Sequence, residues 1–210
     1  KAIEDFTKAI ELCENDKFIY SSRGMAYMCV GNHIKAIDDF TKAIELGAKD
    51  KDIYSSRGRA YMYIENYIKA IEDFTEVIEL GANDKDIYRN RGIAYVSINN
   101  YTKAIEDFTK AIELCENDKF IYSSRGMAYM CVGNHIKAID DFTKAIELGA
   151  KDKDIYSNRG MAYMCVGNHI KAIDDFTKAI ELGAKDKDIY SNRGMAYMCV
   201  GNHIKAIDDF

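Results

Sequence analysis

The 210-residue chain contains no proline and no tryptophan. Without proline, nothing imposes a sharp kink or a stiff linker, and the sequence shows no domain boundary. Long apolar runs are missing as well. No stretch approaches the roughly 18 consecutive apolar residues of a spanning helix, so membrane insertion is not expected. The opening Lys1-Ala2-Ile3-Glu4-Asp5 lacks the architecture of a secretory leader. There is no basic excess: 29 Lys and Arg face 34 Asp and Glu, for a net charge of −5. Nucleic acid is therefore not an expected partner, because neutralising phosphates takes clustered cations. No Ser-His-Asp set, Gly-rich phosphate loop or convergent carboxylate pair occurs, so neither catalysis nor a cofactor is expected.

A chain that is 48% hydrophobic and 30% charged has the composition of a folded, soluble protein. Its six cysteines (Cys13, Cys29, Cys115, Cys131, Cys165, Cys199) fall largely on equivalent points of repeated segments. Such points lie about 10 Å apart in stacked helix pairs, beyond the roughly 7 Å Cα limit of a disulfide. Free thiols and a cytoplasmic setting are the expectation, with an extracellular one if the chain forms filaments.

The dominant feature is a repeat. Lys-Ala-Ile starts at Lys1, Lys35, Lys69, Lys103, Lys137, Lys171 and Lys205, a stride of 34 without slippage. A period of this size marks a segment that cannot bury its own apolar face and needs neighbours on both sides. Full repeats span 17–50, 51–84, 85–118, 119–152 and 153–186, with a second helix alone at 1–16 and a partial repeat at 187–210. Together they read as one array over 1–210. Residues 17–50 and 119–152 are identical, as are 153–176 and 187–210.

Within 153–186, Ile155, Tyr156, Arg159, Ala162, Tyr163 and Val166 are spaced as one face of a helix, with Asp152 or Asp154 placed to cap it. After Gly167-Asn168 a second helix puts Ala172, Ile173, Phe176, Ala179, Ile180 and Leu182 on one side and charges on the other. On that wet side Lys171 can pair with Asp175 and Asp174 with Lys178. Gly183 can end the second helix in the left-handed conformation, whereas Cys13 and Cys115 hold that place elsewhere and must close differently. Gly160 sits where two helices approach, and a larger side chain there would wedge them apart.

Tyr156, Gly160, Tyr163, Ala172 and Phe176, with their equivalents such as Tyr54, Gly58, Tyr61, Ala70 and Phe74, resemble the tetratricopeptide repeat pattern. Departures are Tyr for Trp, Arg159 for Leu and Ala184 for Pro, the last leaving the turn between repeats less rigid. The resemblance implies an all-α solenoid of helix-turn-helix repeats, a right-handed superhelix with first helices lining a concave groove. It also implies a protein or peptide partner. The groove would be built from Met25, Met28, Cys29, Arg59, Met62, Tyr63, Arg89, Ile93, Val96, Met127, Met130, Cys131, Met161, Met164, Cys165, Met195, Met198 and Cys199. Such a sulfur-rich strip suits adaptable apolar recognition, although the same methionines could equally fill gaps between neighbouring first helices. Arg59 and Arg89 are the lone cations there, so a carboxylate clamp is not expected and an apolar segment or amphipathic helix is the expected ligand.

Three further features carry bland and sharp readings. Cys165 and His169, like their equivalents, could begin a zinc site, but Tyr67 and Tyr101 replace the histidine elsewhere and a packing ring explains the position. Arg23, Arg57, Arg91, Arg125, Arg159 and Arg193 could form a ligand ladder. An inter-repeat ion pair with Asp141, Asp175 and the like is preferred, because an unpaired charge would be costly. The series Thr7, Thr41, Thr75, Thr109, Thr143 and Thr177 reads as exposed helix surface, able to carry sugars only in an exported protein. Since the chain starts and stops inside second helices, it reads as an excerpt of a longer array or as a protein that joins end to end into a filament.

Overall fold

The computed structural model describes residues 1–210 and contains thirteen α-helices and no strand. No helix is long and apolar enough to cross a membrane. The chain divides into two compact units, Lys1–Asn100 and Tyr101–Phe210. Unit one holds α1 (Ala2–Leu12), α2 (Lys17–Cys29), α3 (His33–Glu45), α4 (Lys51–Tyr63), α5 (Tyr67–Glu79) and α6 (Lys85–Ser97). Unit two holds α7 (Tyr101–Leu114), α8 (Lys119–Cys131), α9 (His135–Glu147), α10 (Lys153–Cys165), α11 (His169–Glu181), α12 (Lys187–Cys199) and α13 (His203–Asp209). In each unit every helix packs on the next in sequence, and a first helix also touches the first helix one repeat on. This is the stacked helix-pair solenoid that the stride of 34 requires.

Each start and stop has a local cause. Asp50, Asp118 and Asp152 accept backbone N–H groups at the head of α4, α8 and α10. Asn32, Asn66, Asn134, Asn168 and Asn202 do so for second helices, each accepting from the N–H of the lysine three residues on. Substituting Asn134 by Ala leaves an N–H of α9 without its acceptor, and a loss of about 1 kcal/mol is expected in urea melts of wild type and variant. Gly183 closes α11 at φ 93°, as anticipated, while Cys13 ends α1 at φ −145° with its N–H on the carbonyls of Ala9 and Ile10. The alanine in the place of proline is not a weakness. The Ala184 N–H donates to the Ala179 carbonyl at 3.0 Å and Ala150 does the same to Ala145, closing bonds that proline, without a donor, could not make.

In each unit the core is built on phenylalanines, each flanked by alanines. Phe40, Phe74, Phe108, Phe142 and Phe176 are fully buried. One cluster joins Ala138, Phe142, Ala145, Ala150, Ile155 and Ala162, so it draws on α9 and on the first helix of the following repeat. The close approach expected at Gly160 is real. A Cβ there would stand 2.8 Å from Cε1 of Phe176, and one on Gly126 would stand 2.9 Å from that of Phe142.

Candidate functional site

The arginine that recurs in each first helix is committed to structure. Arg125 on α8 donates from Nε and Nη2 to both carboxylate oxygens of Asp141 on α9, each at 2.8 Å, and from Nη1 to the Thr109 hydroxyl on α7 at 3.0 Å. The same fork recurs at Arg23 with Asp39 and Thr7, Arg57 with Asp73 and Thr41, and Arg159 with Asp175 and Thr143. The ion pair therefore forms inside a repeat, and the link between repeats is the threonine hydroxyl. Two tyrosines one turn away on either side sandwich the guanidinium, Tyr122 at 5.7 Å and Tyr129 at 5.8 Å from Arg125.

Two expectations are corrected by this arrangement. The threonines are half-buried acceptors for arginine and not open helix surface. Asp175 is buried and taken by Arg159, so Lys171 does not pair with it. Lys171 instead places its ammonium over Tyr163 at 5.4 Å, and Lys178 reaches Glu181 at 2.8 Å. Helical spacing made these pairs possible, but the tertiary partner of Asp175 offers two hydrogen bonds out of solvent and wins.

Burial acts on the pair from both sides. It pulls the Arg57 guanidinium down, but the Asp73 hydrogen bond and charge outweigh that and hold it above its ordinary value. The same burial, helped by the charges of Glu72 and Glu76, raises the Asp73 carboxyl against the pull of Arg57. Desolvation and attraction thus oppose each other, as is usual for ion pairs withdrawn from water.

The residues assigned to the groove divide by position. Met25, Met127, Met161 and Met195 are exposed, at 40–44%. The methionine three residues later packs partly buried against the cores: Met28, Met62, Met130 and Met164. Met198 is more open, at 51%. Cys29, Cys131, Cys165 and Cys199 are exposed and all six cysteines are free thiols. Ile93 is exposed and Val96 half-buried. One register of methionines is therefore exposed, and the other is partly buried except at Met198.

In unit one, four of these residues come together. Arg59, Met62 and Tyr63 of α4 and Arg89 of α6 line a pocket of about 460 Å³, completed by Asp86 and Asn90. Arg89 is oriented by Asp86 at 3.1 Å, one turn earlier on its helix, and Arg59 donates to Ser56 at 3.3 Å. Tyr63 lies flat on the His33 ring, centroids 4.3 Å apart and planes within 5°. His33 is thus a packing ring against the next first helix, while His169 sets its Nδ1 3.5 Å from the Met164 sulfur. In unit two the neighbouring Cys131 thiol holds the Tyr101 hydroxyl above its ordinary range. Asp86 was not anticipated as a pocket residue, although its spacing of three from Arg89 was visible. The pocket presents two guanidinium groups, a carboxylate, a side-chain amide, a thioether and an aromatic face.

Sequence models of the tetratricopeptide repeat match residues 52–84, 86–118 and 154–184. No curated protein matches the chain. Among solved structures, YrrB is 25% identical with a TM-score of 0.77, over 98% of this chain and 97% of that one. MamA is 26% identical with a TM-score of 0.75, over 79% and 91%. A tetratricopeptide repeat protein from Parabacteroides merdae shares 20% identity and a TM-score of 0.69, over 99% and 82%. Three segments recognised in sequence, the same helix pairing through both units, and folds of this type over nearly the whole length place the chain in the tetratricopeptide repeat family.

Proposed function

We propose that this chain is a non-catalytic scaffold that holds a peptide or helix along its first helices, with the pocket between α4 and α6 as an anchoring point. Repeats of this family generally serve protein interaction. The reading rests on one observation: Arg59, Met62, Tyr63 and Arg89, chosen by their place in the repeat, line a single pocket. YrrB, similar over its whole length, is described as having an unusual peptide-binding site, which supports the same use of this fold. Met25, exposed in the same unit, supplies adaptable apolar surface there, and Met127, Met161 and Met195 supply it in unit two. Neither nucleic acid nor a cofactor has a place in this reading. Six free thiols fit a cytoplasmic setting.

The test is an immobilised library of amphipathic helical peptides probed with the whole chain. Binders should be retained by wild type and weakened about tenfold by Tyr63→Ala or Arg59→Ala, the loss of one anchor at a pocket. A library with no binder, or binders indifferent to both substitutions, would overturn the assignment. A second reading, end-to-end assembly into a filament, draws on the near-identity of successive repeats and predicts threads in electron micrographs.

A further inference from the structure

The turns joining first to second helices form an edge of each unit that is apolar and exposed. In unit two this edge carries Val132 and Ile136, Val166 and Ile170, then Val200 and Ile204. The valines are 42–46% exposed and the isoleucines 68–78%. These side chains form one continuous ladder. A hollow of about 470 Å³ lies between Ile136 and Val166, another of about 350 Å³ lies between Ile170 and Val200, and both are bordered by Val166. From each valine to its isoleucine the sequence is Val-Gly-Asn-His-Ile, with no formal charge.

The fold does not demand isoleucine here. Thr102 occupies the equivalent place at the start of α7, which forms a full second helix, so a polar residue is compatible with the helix here. Apolar side chains kept in water at three consecutive rungs, where a hydroxyl is tolerated, indicate surface that is covered by something.

We propose that this edge of unit two docks against the same edge of a second copy of the chain, side by side. The surface is its own complement: projecting isoleucines alternate with hollows at one stride, and a second ladder related by a two-fold axis has the same stride, so rungs of one enter hollows of the other. The six aliphatics expose on the order of 600 Å², near the roughly 800 Å² that each partner gives to a standard interface before any flanking residues are added. The charges beside the ladder come in opposite pairs, Lys137 with Asp140 and Lys171 with Asp174. They make no basic belt for anionic lipid, and they allow lysine of one copy to meet aspartate of the other. This association is independent of peptide binding on the first helices.

Sedimentation of the full chain at micromolar concentration tests it. Wild type should run at twice the 23.8 kDa chain mass, and Ile136→Lys with Ile170→Lys should run at the single mass with unchanged helical circular dichroism. Should the lysine variant unfold, Ile136→Thr with Ile170→Thr copies a residue this position already holds at Thr102 and should weaken the dimer at least tenfold. Met161→Lys, away from the edge, should stay dimeric. A wild type that is monomeric at its highest soluble concentration, a dimer unmoved by both edge variants, or a monomer that instead co-sediments with phosphatidylcholine vesicles through this edge would each overturn the proposal.

Discussion

Replacing Asp141 with alanine should lower the thermal midpoint of the chain by on the order of 10 °C, the largest effect expected of any single polar substitution. The Arg125 fork loses both acceptors of its two 2.8 Å bonds and keeps only the Thr109 hydroxyl. Its side chain is 16% exposed and cannot swing into water without opening the α7, α8 and α9 stack. Breaking one side of a withdrawn ion pair typically costs about 3–5 kcal/mol, and each kcal/mol moves the midpoint of a domain of this size by roughly 2–4 °C. Replacing both partners, Arg125→Met with Asp141→Leu, should recover most of the loss, because exchanging a withdrawn ion pair for apolar side chains of similar volume is often neutral or stabilising. A double variant no better than Asp141→Ala would mean that the pair contributes net attraction well above its desolvation cost.

The second large effect concerns the buried phenylalanines. Phe142→Ala removes a fully buried ring from a cluster shared by two repeats, and a loss of about 3–5 kcal/mol is expected. Gly126→Ala should cost about 1–3 kcal/mol in the wild type, because the new methyl meets the ring at 2.9 Å and a ring fixed by its neighbours yields little. In the Phe142→Ala background the same methyl points into the space the ring has left and should cost almost nothing. Denaturant melts of the four proteins give the coupling. Additive losses would show that glycine is required there for its backbone and not for the approach of the ring. Because repeat arrays can unfold piecewise, hydrogen exchange resolved by helix is the sharper measurement for both cycles.

How far the sequence could be read depended on whether a property repeats or is a matter of partners. The stride of 34, the helix pairs, the caps at Asp152 and Asn168, and the contact at Gly160 were legible, because each follows from local chemistry or from the spacing of apolar residues. The need for a counter-charge at Arg159 was legible too, since a charge on an inward face must be paired. Less legible was the competition between partners. Asp175 could serve Lys171 on its own helix or Arg159 on another, and spacing along one helix carries no information about the second. The threonine series looked like surface because its partner lies 16 residues away on the next first helix.

The site shows the same division. That first helices carry a methionine-rich face was plain from the repeat. Which methionine of each pair turns outward was not, because residues three apart differ by only about 60° around a helix. The neighbouring helix pair decides which of them it covers. Likewise Arg59 and Arg89 were visible as the lone cations on that face, but their meeting in one pocket with Asp86 depends on how α4 and α6 lie together.

By itself, the sequence determined the family, the all-α repeat and the identity of the packing residues, since a segment that cannot bury its own apolar face must stack on its copies. Only the tertiary structure decided the arginine fork to threonine, the outward methionine register and the bare aliphatic edge. Those are properties of surfaces brought together by stacking, and no spacing within a single helix encodes them.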